Sequence, residues 1–219
     1  LQIRKDLISQ ALFLGKVLIE NEKTDFPEVY ALMAVMCFHA ARLESRASEE
    51  GVPVLLADQN RNRWNHELII VGISYLNKAN KGDRVSLYHY EALIAQVHCT
   101  SLSYAETDWN TIVDIYDKML EHGFDPVIYP NRCLALMDAE GALKALKELQ
   151  NIATNKHLEK YGIYHAALGE MYVRLSQRSK AVSALKKAIE LTASEPEKAF
   201  LQRKIERIKT ASSSEQKID

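Results

Sequence analysis

The sequence predicts an all-α fold, a superhelix of about ten helices built from repeats, with no sheet. Three observations carry that expectation. Eight glycines and five prolines stand among 219 residues, about half the share of roughly 12% that average usage would give. Sandwiches and barrels depend on tight turns and the residues that make them, so a chain this poor in them favours long helices and short connections. Apolar residues also recur at steps of three and four almost from end to end, the mark of amphipathic helices. Finally, a helix-pair pattern recurs near the C-terminal end, and internal recurrence at that scale signals a repeat architecture.

A first helix over residues 1–20 places Leu7, Ala11, Leu14 and Leu18 on one inward stripe. Asp25-Phe26-Pro27-Glu28 then reads as a helix start: Asp25 can accept from a free backbone N–H, and proline suits the first turn. The helix that follows runs to about residue 43 and carries Val29, Leu32, Met33, Met36 and Ala40 inward. Residues 44–60 are polar, contain Gly51 and Pro53, and form the longest irregular stretch. A helix over 60–79, capped by Asp58 or Asn60 and opened by Trp64, leads to a turn at Lys81-Gly82-Asp83. Another helix spans 86–98, and Thr107-Asp108 caps one that reaches residue 121. Gly123 stops it, and Asp125-Pro126 begins the next. Ser194 with Glu197 three residues on forms a capping box around Pro196, and a disordered tail follows over 211–219.

A tetratricopeptide unit is about 34 residues long, two antiparallel helices with a W-x2-L-G-x2-Y pattern on the first and small residues on the second. Leu168-Gly169 and Tyr172 fit the first helix, and counting on without gaps brings Ala181, Leu185 and Ala188 to the small and apolar positions of the second. Gly169 and Ala181 then mark the closest crossing, with Tyr172 and Leu185 filling the space beside it. A weaker copy precedes it, with Asn131, Arg132, Cys133 and Leu136 on one helix, Gly141 at the turn, and Ala145 and Leu149 on the next. Residues 127–191 therefore form two stacked pairs. Trp64 and Trp109 each open an earlier unit with longer insertions, and because repeats bury their faces only against neighbours, residues 1–210 form one domain.

The charge balance, 28 basic and 29 acidic residues, carries no whole-chain signal for nucleic acid or membrane. It is uneven: ten Lys or Arg against four Glu lie between positions 174 and 209. A solvated helix face is the plainer reading of that run, and a binding patch the other. Three cysteines, Cys37, Cys99 and Cys133, are odd in number and widely spaced, which fits buried thiols in a reducing cytoplasm. No apolar run reaches the roughly 18 residues of a membrane span. With no Met at position 1 and a helical pattern already under way, the chain reads as beginning inside a longer protein.

No glycine-rich loop, nucleophile elbow or paired-carboxylate signature stands out, and the reading is of a protein that is not an enzyme and takes no cofactor. The seven histidines do not group as metal ligands. His98-Cys99 are neighbours and point to different helix faces, and His66-Glu67 lacks the second histidine of a zinc-protease helix. One local cluster, Asp58-Gln59-Asn60-Arg61-Asn62-Arg63-Trp64, admits two readings. It is either an elaborate cap with Trp64 as a buried anchor, or a partner-contacting surface, since Trp and Arg are the usual hot-spot types.

Several blocks together resemble one family. They are 27–42 (PEVYALMAVMCFHAAR), 54–64 (VLLADQNRNRW), 107–120 (TDWNTIVDIYDKML), 126–149 (PVIYPNRCLALMDAEGALKALKEL) and 164–205. In order and spacing they are similar to the tetratricopeptide-like C-terminal extension of bacterial extracytoplasmic-function (ECF) sigma factors, with Cys133 standing where that family usually has alanine. The resemblance implies a regulatory protein-interaction domain of an RNA polymerase sigma factor, modulating transcription initiation through contacts with the sigma core in cis, with polymerase, or with another regulator. The near-neutral charge, which can release few counterions, predicts no specific DNA binding by this part alone. The residues the resemblance marks for contact are Arg61, Arg63, Asp108 and Arg132. The alternative is a stand-alone tetratricopeptide adaptor that binds peptide segments of a partner, and a repeat-built ligand sensor is a third reading.

Overall fold

Among the described residues all ten long elements are α-helices, joined by loops and four short 3-10 turns, and no strand occurs. The computed structural model describes residues 5–46, 54–81, 84–121 and 123–215. The helices gather into two compact units, Leu1–Asp108 and Trp109–Asp219.

The first unit holds α1 (Lys5–Glu20), α2 (Pro27–Ala41), α3 (His66–Ala79) and α4 (Leu87–Thr100). Its centre is α2, which packs against all three others. A helix apolar on every side belongs in an interior, and PEVYALMAVMCFHAA is nearly that. Ala31, Ala34, Val35, Phe38 and Ala41 join Trp64, Ile69, Leu76, Ala92 and Ala95 in one core. The inward face read from the sequence holds only in part: Met33 is buried, while Val29, Leu32, Met36 and Ala40 are half-buried.

The stripe assigned to α1 is wrong in its direction. Leu7, Leu14 and Leu18 are exposed. The helix instead meets α2 through the Gly15 side, with Ile8, Ala11 and Leu12 half-buried. Nearly every turn of α1 offers an apolar residue on more than one side, so periodicity alone does not select the buried face.

Start signals are placed well and their atoms less so. Pro27 opens α2 but Asp25 does not cap it; its carboxylate takes the Tyr30 hydroxyl instead, a bond that raises the pKa of that phenol. Trp64 does not open α3. Asn65 caps that helix, its Oδ1 accepting from Leu68 N at 3.0 Å, and Asn60 caps the 3-10 turn Arg61–Arg63 by accepting from Asn62 N at 3.0 Å. The turn expected at Lys81-Gly82-Asp83 falls largely outside the described residues.

The second unit runs α5 (Trp109–Leu120), α6 (Ile128–Glu140), α7 (Ala142–Lys156), α8 (Gly162–Arg174), α9 (Arg178–Leu191) and α10 (Glu195–Glu215). Gly123 (φ +132°) and Gly141 (φ +99°) end the helices before them in backbone conformations that L side chains rarely adopt. Asp125 starts α6 as the sequence suggests, its Oδ1 accepting from Val127 N at 2.7 Å and Ile128 N at 2.8 Å. The box at Ser194 is half-formed: Glu197 N reaches Ser194 Oγ at 3.4 Å, but the Glu197 carboxylate binds the Thr192 hydroxyl at 2.6 Å. Helix α10 continues past Ala211 to Glu215, and residues 216–219 lie outside the described ones.

Successive helices pack as antiparallel neighbours, α6 on α7 and α8 on α9, with α8 also against α6 and α7. Cys133, Leu136, Ala145 and Leu149 are buried between the first pair, and Ala181, Leu185 and Ala188 within the second. A Cβ on Gly169 would lie 2.6 Å from Leu185 Cδ2 and 3.6 Å from the Ala181 carbonyl oxygen, so the crossing is as tight as the register requires. Ala181 is fully buried. The Ala181→Leu variant is therefore expected to lose about 1–3 kcal/mol by overpacking, read from urea unfolding. Unchanged stability would remove this crossing as the tight point of the unit.

Candidate functional site

The cluster at 58–64 folds into a corner that ties three helices of the first unit together. Trp64, only 3% exposed, sits in the α2–α3–α4 core, and the guanidinium carbons of Arg61 and Arg42 lie 4.6 and 5.2 Å from its ring centre. Arg61 Nη1 donates to the carbonyls of His98 (2.6 Å) and Ser101 (2.7 Å), closing the C-terminal end of α4 as a basic side chain can. Asn65 N donates to Ala41 O at 2.9 Å, which fixes the end of α2. Buried Arg42 reaches Gln59 Oε1 at 3.4 Å through Nε and Nη2. Arg61 is thus spent on holding backbone, and the buried-anchor reading of this cluster describes the geometry.

Positive charge collects here. Burial lowers the pKa values of Arg42 and Arg61. The half-buried His98 is pushed down to about 4, first by burial and then by Arg42, Arg61 and His39. It is neutral at pH 7. His89, also buried, has a structural role: Nδ1 accepts from Ser86 N at 3.1 Å, which leaves Nε2–H to donate to Ala79 O at 3.2 Å.

Arg132 forms a second clasp. It bonds Asp117 of α5 through Nε (2.5 Å) and Nη2 (3.2 Å), and Glu148 of α7 through Nη1 at 2.6 Å. Burial alone would lower its pKa, but those bonds and the two carboxylate charges outweigh it and raise the value. Three helices are joined by one planar fork, a geometry that suits arginine and not lysine. Arg63 and Asp108 are exposed, the latter directly ahead of α5. Thr107, read as a cap, is buried and donates its hydroxyl back to Ser103 O at 3.2 Å. Of the four marked residues, Arg61, Arg63 and Asp108 belong to the first unit and Arg132 to the second.

Two surfaces absent from that set are open. On α1, Phe13 is 64% and Leu14 61% exposed, and Leu7, Val17 and Leu18 accompany them. Beside them a cleft of about 280 Å³ opens between α1 and α2, lined by Ile8, Leu12, Val35, Met36, His39 and Leu43 among others. In the second unit a groove of about 570 Å³ runs between α8 and α9, with Leu168, Ala184 and Tyr172 at its floor and Lys180, Lys186 and Lys187 at its edge. The basic run at 174–209 was the sequence signal for the groove. For α1 the signal was the surplus of apolar residues over what one buried stripe needs.

The cysteines are free and buried, and burial raises the Cys37 and Cys99 thiols to about 11 and Cys133 to about 12. Among the described residues no three His, Cys, Asp or Glu side chains gather where they could hold a metal ion. No described helix is long and apolar enough to cross a membrane.

Residues 1–80 match a family described as a family of unknown function, DUF6596. The chain is similar to an uncharacterized protein of Rhizobium meliloti (strain 1021), 27% identical over 206 residues. That alignment covers 94% of this chain and 48% of the relative, so the chain spans about half the length of the curated relative it matches. No solved structure matches.

Proposed function

We propose that the chain is a regulatory protein-interaction domain of an ECF-type RNA polymerase sigma factor, a tetratricopeptide-like helical-repeat superhelix that modulates transcription initiation through protein contacts. The contacts are with the sigma core in cis or with polymerase. The sequence blocks that resemble such extensions support the reading, and so does the tight Gly169–Leu185 crossing at the repeat register.

The observation that carries the interaction role is the apolar face of α1. Five large apolar side chains stand exposed on one helix next to an apolar cleft, and contiguous patches of that kind mark protein contact sites. Arg61 acts in the same unit as a tie that closes the end of α4, and Arg132 is the corresponding tie among the helices of the second unit. The test uses the full-length factor with Leu14→Glu and Phe13→Glu combined. Both positions are solvent-facing, so the melting temperature is expected to hold, while promoter-reporter activity or pull-down of the sigma core or polymerase changes by about tenfold or more. Full activity with intact binding in the folded variant would remove α1 as the working face.

A further inference from the structure

The groove of the second unit is built for a ligand of defined chemistry. Its floor is apolar, with Leu168 and Ala184 each only 8% exposed and the Tyr172 ring beside them. That ring is held: Gln150 Nε2 donates to its hydroxyl at 3.1 Å, and Lys180 Nζ lies 5.6 Å from its centre. His165 at one end is likewise fixed, Nε2 lying 2.8 Å from Glu159 O and its ring edge-on to Tyr164 at 5.0 Å. The rim carries Lys180, Lys186 and Lys187 against one acid, Glu190. Glu190 is matched by Lys187 at 2.7 Å, which leaves the groove with a positive excess at the Lys180 and Lys186 positions.

Helix α10 does not cover it. That helix packs through Leu201 and Ile205 on Leu185 and Ala188, with Ala166, Val182 and Ile189 alongside, and Lys204 pairs with Glu170. Of those positions, Ala166 and Glu170 on α8 and Val182 and Ile189 on α9 lie on the other side of their helices from Leu168, Tyr172, Lys180 and Ala184, at helical spacing.

We infer that this groove docks a short acidic peptide segment of a partner protein, its carboxylates met by Lys180 and Lys186 and an apolar side chain laid on Leu168, Ala184 and Tyr172. Charge complementarity selects the occupant. A nucleic acid would need many phosphate contacts along a basic stripe, whereas this site offers a few cations around an apolar floor. Lysine ammonium groups are compact charges on flexible stems and accept carboxylates at varied spacing. The inference deepens the interaction role proposed above and rests on it, but places a second contact in the other unit.

The probe is a short fluorescein-labelled peptide that alternates Glu with Leu and Phe, titrated with the full 219-residue chain in about 0.15 M salt, where exposed charges are screened beyond roughly 8 Å. Anisotropy should saturate, and amide shifts should map to 165–190. A Gln-for-Glu peptide is expected to bind at least about tenfold more weakly, and so is the Lys180→Glu/Lys186→Glu variant, with its helical circular dichroism retained. Ser183→Trp, on the exposed rim, blocks the groove without altering charge and should also abolish binding. Absence of saturable binding, equal binding of the Gln peptide, or indifference to both variants overturns the inference. Competition by duplex DNA at equal affinity would reduce the groove to a general polyanion patch and overturn it as well. The α1 variant reports on the sigma-factor reading independently, so a failed groove and a failed regulatory role give different results.

Discussion

Replacing Trp64 by alanine is expected to cost the first unit about 3–5 kcal/mol, the range for removing a large aromatic side chain from a packed interior. The ring is 3% exposed and touches the α2–α3–α4 core, so little of the space can refill with water. The loss extends beyond volume. Arg61 and Arg42 lose the ring they lie against, and cation–π contact of desolvated groups contributes about 2 kcal/mol. Arg61 then holds the His98 and Ser101 carbonyls with its guanidinium unsupported. Urea unfolding of Trp64→Ala beside Arg61→Ala and the double variant gives the coupling between them. A fall of under about 1 kcal/mol for Trp64→Ala would show that the corner is not an anchor.

Acid should weaken the same corner. His98 titrates near 4 in the folded chain, against about 6.5 for a solvated imidazole. Between those values the unfolded chain binds a proton that the folded chain refuses, so folding stability falls as pH drops through 6.5 and stops falling below about 4. At about 1.4 kcal/mol per pH unit, with partial exposure reducing the effect, the loss from His98 is roughly 2 kcal/mol. His39 shifts in the same direction, through loss of solvent around the imidazole and then through Arg46 and Arg42, but the residue as a whole keeps an exposed surface, so its contribution is the smaller. The check compares the native chain with His98→Gln at pH 7 and pH 4.5. The glutamine variant should lose roughly 2 kcal/mol less on acidification, and parallel losses would mean that His98 does not carry the effect.

Helix number and type were legible because turn formers are scarce and the apolar spacing is long and regular. The register at Gly169, Ala181, Leu185 and Ala188 was legible for a stronger reason: a backbone crossing tolerates only small residues at fixed offsets. Direction of facing was legible only where one stripe was apolar. On α1 and α2 the apolar residues outnumber one stripe, and tertiary neighbours decide which of them is covered. The marked arginines show a different limit. Arg61 opens a 3-10 turn and Arg132 lies in the second turn of α6, and a sequence cannot tell a contact residue from a tie at either place, because the atoms they hold lie 37 and 40 positions away for Arg61 and 15 and 16 for Arg132.

The central place of α2 has a consequence during synthesis. Its covering helices follow it in the chain, and the last of them, α4, ends at Thr100 while α2 ends at Ala41. At about 5–20 residues per second, the ribosome needs roughly 3–12 s to make the intervening segment. Early in that interval a nascent helix apolar on nearly every side has only α1 beside it; α3 joins once Ala79 is made, and the cover is complete only with α4. A chain truncated before α4 is therefore expected to leave one side of α2 uncovered and to aggregate, where the complete unit does not.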